Sequence, residues 1–298
     1  MKRLYAYPYL LLTLTALFWS GNMVIGRGLR EAVPPISLAF WRWVIALLLV
    51  LPFALPHLRA QWPILRRHWA AMLALGLLGV GCYNTFAYIA LQYTTATNAT
   101  LLNSFIPIAT IALAFMLLGK RLSGAEALGV LVSLLGVTII VGRGDIDVLL
   151  AFSLNTGDLW MLAAVAVWGL YTVGLHWRPQ GLDPMVMLFA FTVVGVSALA
   201  PFYAWEALVA GRQIDLHGAA LAGILYTGIF PGFLGYVFYN AGVAAVGPSR
   251  GALFIHLMPV FGTLLAAIFL GERPYGYHFA GIALVFAGIY LTMRRRSN

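Results

Sequence analysis

The sequence predicts an all-α polytopic membrane protein of ten transmembrane helices, arranged as two inverted five-helix repeats. Three observations carry this. Of the 298 residues, 62% are hydrophobic and only 9% charged, against about 25% charged in an ordinary soluble domain. The mean hydropathy is +0.91. The apolar residues fall into ten runs separated by short polar joints, and one hairpin of the chain recurs at half its length.

The runs are 8–26, 34–55, 69–91, 97–118, 125–141, 156–176, 184–206, 217–241, 249–270 and 276–293. Most are long enough to cross a hydrocarbon layer of about 30 Å as a helix. Breakers and charges mark the joints: GRGLREAVPP, HLRAQWPILRRH, GKRLSG, GRGDID, WRPQGLDP, AGRQIDLHG, VGPSR and GERPYG. The joints are too short to hold a soluble domain. The first run begins near Pro8 without an A-x-A cleavage site, so it reads as the first helix and not as a removable leader. Cys82 is the sole cysteine, which rules out an intrachain disulfide.

The net charge of +9 does not point to nucleic acid, because the basic residues sit at the ends of apolar runs. Lys2, Arg3, Arg59, Arg66, Arg67, Lys120, Arg121, Arg178, Arg250, Arg294, Arg295 and Arg296 fall on the side of the termini. Arg27, Arg30, Arg143, Arg212 and Arg273 fall on the other. The positive-inside rule then places both termini in the cytoplasm. Arg42 lies inside the second run, with snorkelling to the interface as its simplest reading.

The repeat is read at two shifts. At 152 residues, Pro107, Gly119, Arg121, Gly129 and Gly136 land on Pro259, Gly271, Arg273, Gly281 and Gly288. At 149 residues, Trp19 pairs with Trp168, Val24 with Val173, Pro35 with Pro184, Phe40 with Phe189 and Pro52-Phe53 with Pro201-Phe202. This divides the chain into residues 1–149 and 150–298. Five spans per copy is an odd number, so the second copy enters from the opposite face. Inversion about an axis in the membrane plane is the geometry of alternating-access carriers.

Polar groups inside a span are expensive and mark a substrate path by default. On the first segment Thr15, Trp19 and Asn22 share one helical face. The third places Asn84 and Tyr88 one turn apart beside Tyr83, and the fourth carries Thr100, Asn103, Ser104 and Pro107. The sixth offers Trp168 and Tyr171, the eighth Tyr236 and Asn240, and the ninth Ser249 and His256. The expected substrate wall is therefore Trp19, Asn22, Asn84, Tyr88, Asn103, Trp168, Tyr171, Tyr236, Asn240 and His256. Each has a plainer reading: aromatics pack, asparagines tie helices together, and His256 can be a satisfied packing group. Trp43, Trp62, Trp69, Trp160 and Trp205 lie near segment ends and read as interfacial belt residues. The fifth and tenth segments carry glycines two turns apart (Gly129, Gly136; Gly281, Gly288), which permit close helix contact.

No Asp or Glu falls in mid-span, where a proton or sodium pump usually holds one. No G-x-S-x-G, H-E-x-x-H or P-loop pattern is present. We therefore expect no catalytic residue, no metal and no cofactor.

The stretches ALFWSGNMVIGRGL, FWRWVIALLLVLPF, ALQYTTATNATLLNSFIPIATIALAFMLLGKRLSGAEALGVLVSLLGV and AAVGPSRGALFIHLMPVFGTLLAAIFLGERPYGYHFAGIALVFAGIYL resemble the EamA-type members of the drug/metabolite transporter superfamily. The twice-used pattern small-x-x-small, proline, then L-G-[KE]-R is their most specific part. The whole chain also resembles the bacterial YddG-type amino-acid exporters. Lys120 stands where the family has Glu, which Glu272 retains in the second copy. The resemblance implies ten helices in inverted halves, a bacterial inner-membrane location and a central cavity formed by segments 1–4 and 6–9.

Together these point to a monomeric exporter of small metabolites in the lipid bilayer, amino acids first, with aromatic and apolar ones preferred. An exporter of cationic or amphipathic drugs is the nearest alternative, served by cation–π contacts. A channel and an intramembrane enzyme are the remoter ones.

Overall fold

A computed structural model describes residues 7–147, 155–270 and 275–293. The half boundary at 149/150 lies outside these residues. So do Gly271, Glu272, Arg273 and the terminal basic residues Lys2, Arg3, Arg294, Arg295 and Arg296. Among the described residues there is no strand, and nine helices are long and apolar enough to cross a membrane.

Those nine are α1 (Pro8–Gly28), α2 (Pro35–Arg67), α3 (Trp69–Tyr93), α4 (Ala99–Leu118), α5 (Gly124–Val141), α6 (Thr156–Trp177), α7 (Pro184–Val209), α8 (Gly218–Val246) and α10 (Gly276–Met293). The passage between the last two, α9, is helical but in three pieces: Pro248–Leu253, a 3₁₀ turn over Phe254–His256, and Leu257–Leu270. The ninth run, 249–270, is thus broken within its length. The reason is Pro259, whose ring and missing N–H disturb the turn before it. The same happens 152 residues earlier. The α4 passage breaks at Ser104–Phe105, just before Pro107.

Local chemistry sets the helix ends. Pro8, Pro35 and Pro184 stand in the first turn of α1, α2 and α7, where a missing N–H costs nothing. Asp183 Oδ1 accepts from Met185 N (2.8 Å) at the start of α7. Capping boxes open α5 (Ser123 with Glu126) and α6 (Asn155 with Asp158). Gly119 closes α4 in the left-handed conformation (φ 64°), which only glycine adopts without strain.

Helix α2 runs to Arg67, well past the expected end near residue 55, so most of the joint HLRAQWPILRRH is helical. Pro52, Pro56 and Pro63 fall at i, i+4 and i+11, on one exposed face of the helix. There their lost N–H groups deprive no packed neighbour. Gln61 Oε1 accepts from Asp183 N (2.7 Å), tying this extension to the α6–α7 joint.

The helices pack in pairs: α1 on α8, α3 on α6, α2 on α7, α4 on α6, α1 on α9 and α5 on α10. Advancing every number by five, modulo ten, turns the set into itself. The last pair is the closest. A Cβ on Gly136 would stand 2.6 Å from Gly281 O, and one on Gly281 would stand 2.7 Å from Gly136 O. Gly129 meets Gly288 in the same way. Because 129 faces 288 while 136 faces 281, α5 and α10 run antiparallel.

Helices α3 and α8 each contain a wider π turn, over Leu77–Cys82 and Gly228–Leu234. These are again about 152 residues apart, and glycine-rich in both. Such turns release carbonyls from the helical ladder and recur at functional sites.

Two interfacial readings are overturned. Trp43 is fully buried and belongs to no aromatic belt, whereas Trp62, Trp69, Trp160 and Trp205 are exposed as expected. Arg42 is 1% exposed and does not snorkel. Both lie on the face of α2 covered by α8, a fact that α2's own apolar pattern does not contain.

Candidate substrate site at the junction of the halves

Trp19 and Trp168, which correspond in the two copies, meet edge to face with ring centroids 4.9 Å apart. Around them Tyr83, Tyr171, Tyr236 and Tyr239 all lie within 5.4 Å of the Trp168 ring. Trp43 stands against Tyr236 at 4.7 Å and 89°. Perpendicular contacts of this kind set the positive edge of one ring against the negative face of another. The result is a buried aromatic knot contributed by α1, α2, α3, α6 and α8.

The π turns supply its polar anchors. Trp19 Nε1 donates to Pro231 O (3.0 Å), and the Tyr236 hydroxyl donates to Gly79 O. Residues 79 and 231 are equivalent in the repeat, so each half offers the other one freed carbonyl. Tyr171 packs directly against Gly79, where a Cβ would come within 2.5 Å of its ring.

The asparagines pair with tyrosines, again in a repeated manner. The Tyr88 hydroxyl donates to Asn22 Oδ1 (2.7 Å), joining α3 to α1. The Tyr171 hydroxyl donates to Asn240 Oδ1 (2.6 Å), joining α6 to α8. Asn22 corresponds to Tyr171 and Tyr88 to Asn240, so the bond is kept while the residue types change places. Asn84 and Tyr236, themselves equivalent, touch each other across the junction (Nδ2 to Oη, 3.4 Å).

Eight of the ten expected wall residues thus form one connected cluster: Trp19, Asn22, Asn84, Tyr88, Trp168, Tyr171, Tyr236 and Asn240. Asn103 joins at its edge, where Oδ1 accepts from the Tyr83 hydroxyl (3.0 Å) and Nδ2 points at Met258 Sδ (3.5 Å). His256 belongs to a separate knot in which the broken helices meet. Its Nε2 lies 2.8 Å from Ser104 O and its Nδ1 2.7 Å from Ser133 Oγ. A carbonyl only accepts, so Nε2 carries the hydrogen, and in the neutral ring Nδ1 accepts from the Ser133 hydroxyl. Ser104 and His256 are repeat equivalents, which makes this a second contact between matching positions.

Four cluster members went unassigned from the sequence. Tyr239 lies three residues after Tyr236, so helical spacing alone could have found it. Tyr83 was noted but stands off the face that Asn84 and Tyr88 define. Trp43 was read as belt. Arg42 is the fourth: its Nη1 donates to Asn22 Oδ1 (2.8 Å) and Tyr88 Oη (2.9 Å), with the guanidinium 5.2 Å from the Trp43 ring centre. A cation in an apolar run was the available signal.

Cavities flank this cluster. One of about 500 Å³ lies at the far end of α6, lined by Lys120, His176, Arg178, Gln180, Val243 and Pro248. Another of about 400 Å³ lies at its opposite end, among Ile36, Gln92, Tyr93, Trp160, Trp205 and Arg212. The knot of rings stands between the two ends. The two acids buried among the described residues serve helix starts. Glu206 accepts from Ser37 N (2.7 Å) and Ser37 Oγ (2.8 Å), and Asp158 accepts from Asn155 N (3.0 Å) and, at the end of α3, from Thr94 Oγ1 (2.6 Å). Among the described residues no cluster of His, Cys, Asp or Glu is arranged to hold a metal ion.

The family model described as the EamA-like transporter family matches this chain twice, at residues 6–142 and 155–294. An "uncharacterized transporter" of Archaeoglobus fulgidus is 30% identical over 295 residues, covering 97% of this chain and 98% of that protein. A "probable terminal-alkyne amino-acid exporter" of Streptantibioticus cattleyicolor is 28% identical over 232 residues, covering 75% and 73%. A solved crystal structure with 22% identity superposes with a TM-score of 0.75, over 97% of this chain and 96% of that one, a likeness of fold.

Proposed function

The chain belongs to the EamA-like transporter family of the drug/metabolite transporter superfamily, and from that membership we propose that it exports amino acids, preferring aromatic and apolar ones. The observation that carries this is the aromatic knot. Trp19, Trp168, Tyr236 and Tyr239 come from α1, α6 and α8, at the place where the two halves touch through equivalent residues. Stacked rings suit an apolar side chain, and the neighbouring asparagine amides suit an amino acid's polar end. The relative named as a probable amino-acid exporter supports the same substrate class.

The mechanism is alternating access between two inverted five-helix halves. The antiparallel glycine contact of α5 with α10 and the exchange-symmetric packing support inversion about an in-plane axis. Rocking about that axis would part the ring contacts on one side while the other side stays closed, exposing the centre first to one end cavity and then to the other. Both termini lie in the cytoplasm of a bacterial inner membrane, by the charge asymmetry of the joints. Without a mid-span carboxylate, flux runs down the substrate's own gradient.

Counterflow in proteoliposomes tests the reading. Preloading with unlabelled L-phenylalanine should accelerate uptake of labelled L-phenylalanine, and uptake should persist after a protonophore has collapsed the proton gradient. Uptake indifferent to preloading would indicate a channel and end the carrier mechanism.

A further inference from the structure

We propose that Arg42 is an anion receptor in this site, so that the transported molecule must carry a carboxylate and amines without one are rejected. The inference rests on the aromatic junction being the substrate site. It adds a charge requirement that the asparagines and rings do not impose.

The guanidinium is buried and lacks a counter-charge. Among the described residues Arg42 makes no ion pair. Its two partners, Asn22 Oδ1 and Tyr88 Oη, are neutral and both engage Nη1. Its Nε is buried without any hydrogen-bond partner. The two acids buried among the described residues are committed elsewhere, Glu206 to the start of α2 and Asp158 to the start of α6. A cation in a low-dielectric interior is held only where something negative completes it. A planar guanidinium fork matches a carboxylate.

The other unsatisfied groups at the junction agree in sign. Trp43 Nε1 and Asn240 Nδ2 are buried with no partner, and each is a donor. Trp43 packs on Tyr236, and Asn240 follows Tyr236 by one helical turn. Together with Arg42 Nε this makes three unpartnered N–H donors on α2 and α8, and what three donors lack is an acceptor.

Architecture does not demand the charge. At the 149-residue shift Arg42 corresponds to Phe191, which is fully buried on α7 beside Tyr171. One half therefore packs an apolar ring where the other places a cation. The same position serves structure in one copy and is free to serve recognition in the other. The charge also argues against cationic drugs as cargo, since a like charge would be brought beside an unneutralised guanidinium.

The test uses purified full-length protein and four probes of one aromatic skeleton: L-phenylalanine, L-phenylalaninamide, phenylacetate and phenethylamine. Thermal stabilisation in detergent reads binding, and inhibition of counterflow reads transport. L-Phenylalanine and phenylacetate should bind at least about tenfold more tightly than the amide and the amine. Arg42→Gln should weaken both carboxylates by at least about tenfold and bring the acid-to-amide ratio near one, with Arg42→Lys intermediate. The ratio in the unmodified protein decides the matter even if Arg42→Gln does not fold. Equal binding of L-phenylalanine and its amide would overturn the proposal while leaving amino-acid export standing. An unchanged ratio in a folded Arg42→Gln protein, or no binding of either carboxylate, would overturn it too. Binding of phenylacetate but not L-phenylalanine would uphold it and remove the amino-acid reading.

Discussion

Trp168 touches more of the aromatic knot than any other ring, with Trp19, Tyr83, Tyr171, Tyr236 and Tyr239 all against it. With its N–H turned to the Tyr239 hydroxyl, what it offers a substrate is contact area and ring geometry. A stacked ring is worth about 0.5–1.5 kcal/mol beyond its buried area, and 1.4 kcal/mol is tenfold in affinity. Trp168→Phe, which keeps a ring, should therefore weaken aromatic amino acids a few-fold and leave alanine nearly unchanged. Competition against labelled L-phenylalanine measures both. A uniform loss across large and small substrates would mean that Trp168 only supports the fold. His256 makes the contrast at the same scale. It is tied on both ring nitrogens to Ser104 and Ser133 and sits outside the knot. His256→Ala leaves the Ser104 carbonyl without that donor and should cost about 1–3 kcal/mol of stability, read as a lower melting temperature, while the order of substrate preference stays the same.

Helices α5 and α10 contribute no residue to the aromatic knot, and glycines hold their seam close. A methyl on Gly281 would meet Gly136 O at 2.7 Å and the Ile140 side chain at 2.5 Å. Backbone cannot yield as a side chain does, so Gly281→Ala should force the helices apart. Overpacking of this kind costs about 1–3 kcal/mol. The expected result is a lower melting temperature with an unchanged ratio of phenylalanine to alanine transport. A changed ratio would mean that the seam is coupled to the site. The π turns of α3 and α8 act in the opposite sense. They loosen the helical ladder at matching places so that Gly79 O and Pro231 O can reach across to Tyr236 and Trp19. Nothing in GLLGVGC or GIFPGFLG announces a π turn as such, although the glycines mark places where neighbouring rings come close.

For the whole molecule, the testable consequence is orientation. With twelve basic residues on the side of the termini and five on the other, a reporter that fluoresces only in the cytoplasm should be bright when fused after Asn298. A reporter active only outside the cytoplasm should be silent there, and activity from it would refute the topology. The antiparallel run of α5 against α10 is what this orientation and five spans per half would require.

Composition and run length determined by themselves that the chain is helical and embedded, because a membrane admits few other solutions for apolar backbone. The half-chain repeat suggested which helices to compare, and polar and aromatic residues in apolar runs singled out eight residues that the fold brings together. These signals are local or periodic, and they survive without knowledge of what packs where. Tertiary structure alone decided the rest. Whether Arg42 and Trp43 face lipid, water or α8 depends on a helix more than 170 residues away in the chain. The partner of each tyrosine was likewise open until α1 met α3 and α6 met α8. His256 looked like a wall residue because it is polar and lies in mid-span. Helix breaks before Pro107 and Pro259 turned it instead toward Ser104. Hydropathy records the cost of exposing a side chain to lipid, but not which neighbour removes that cost, and that neighbour separates a binding residue from a structural tie.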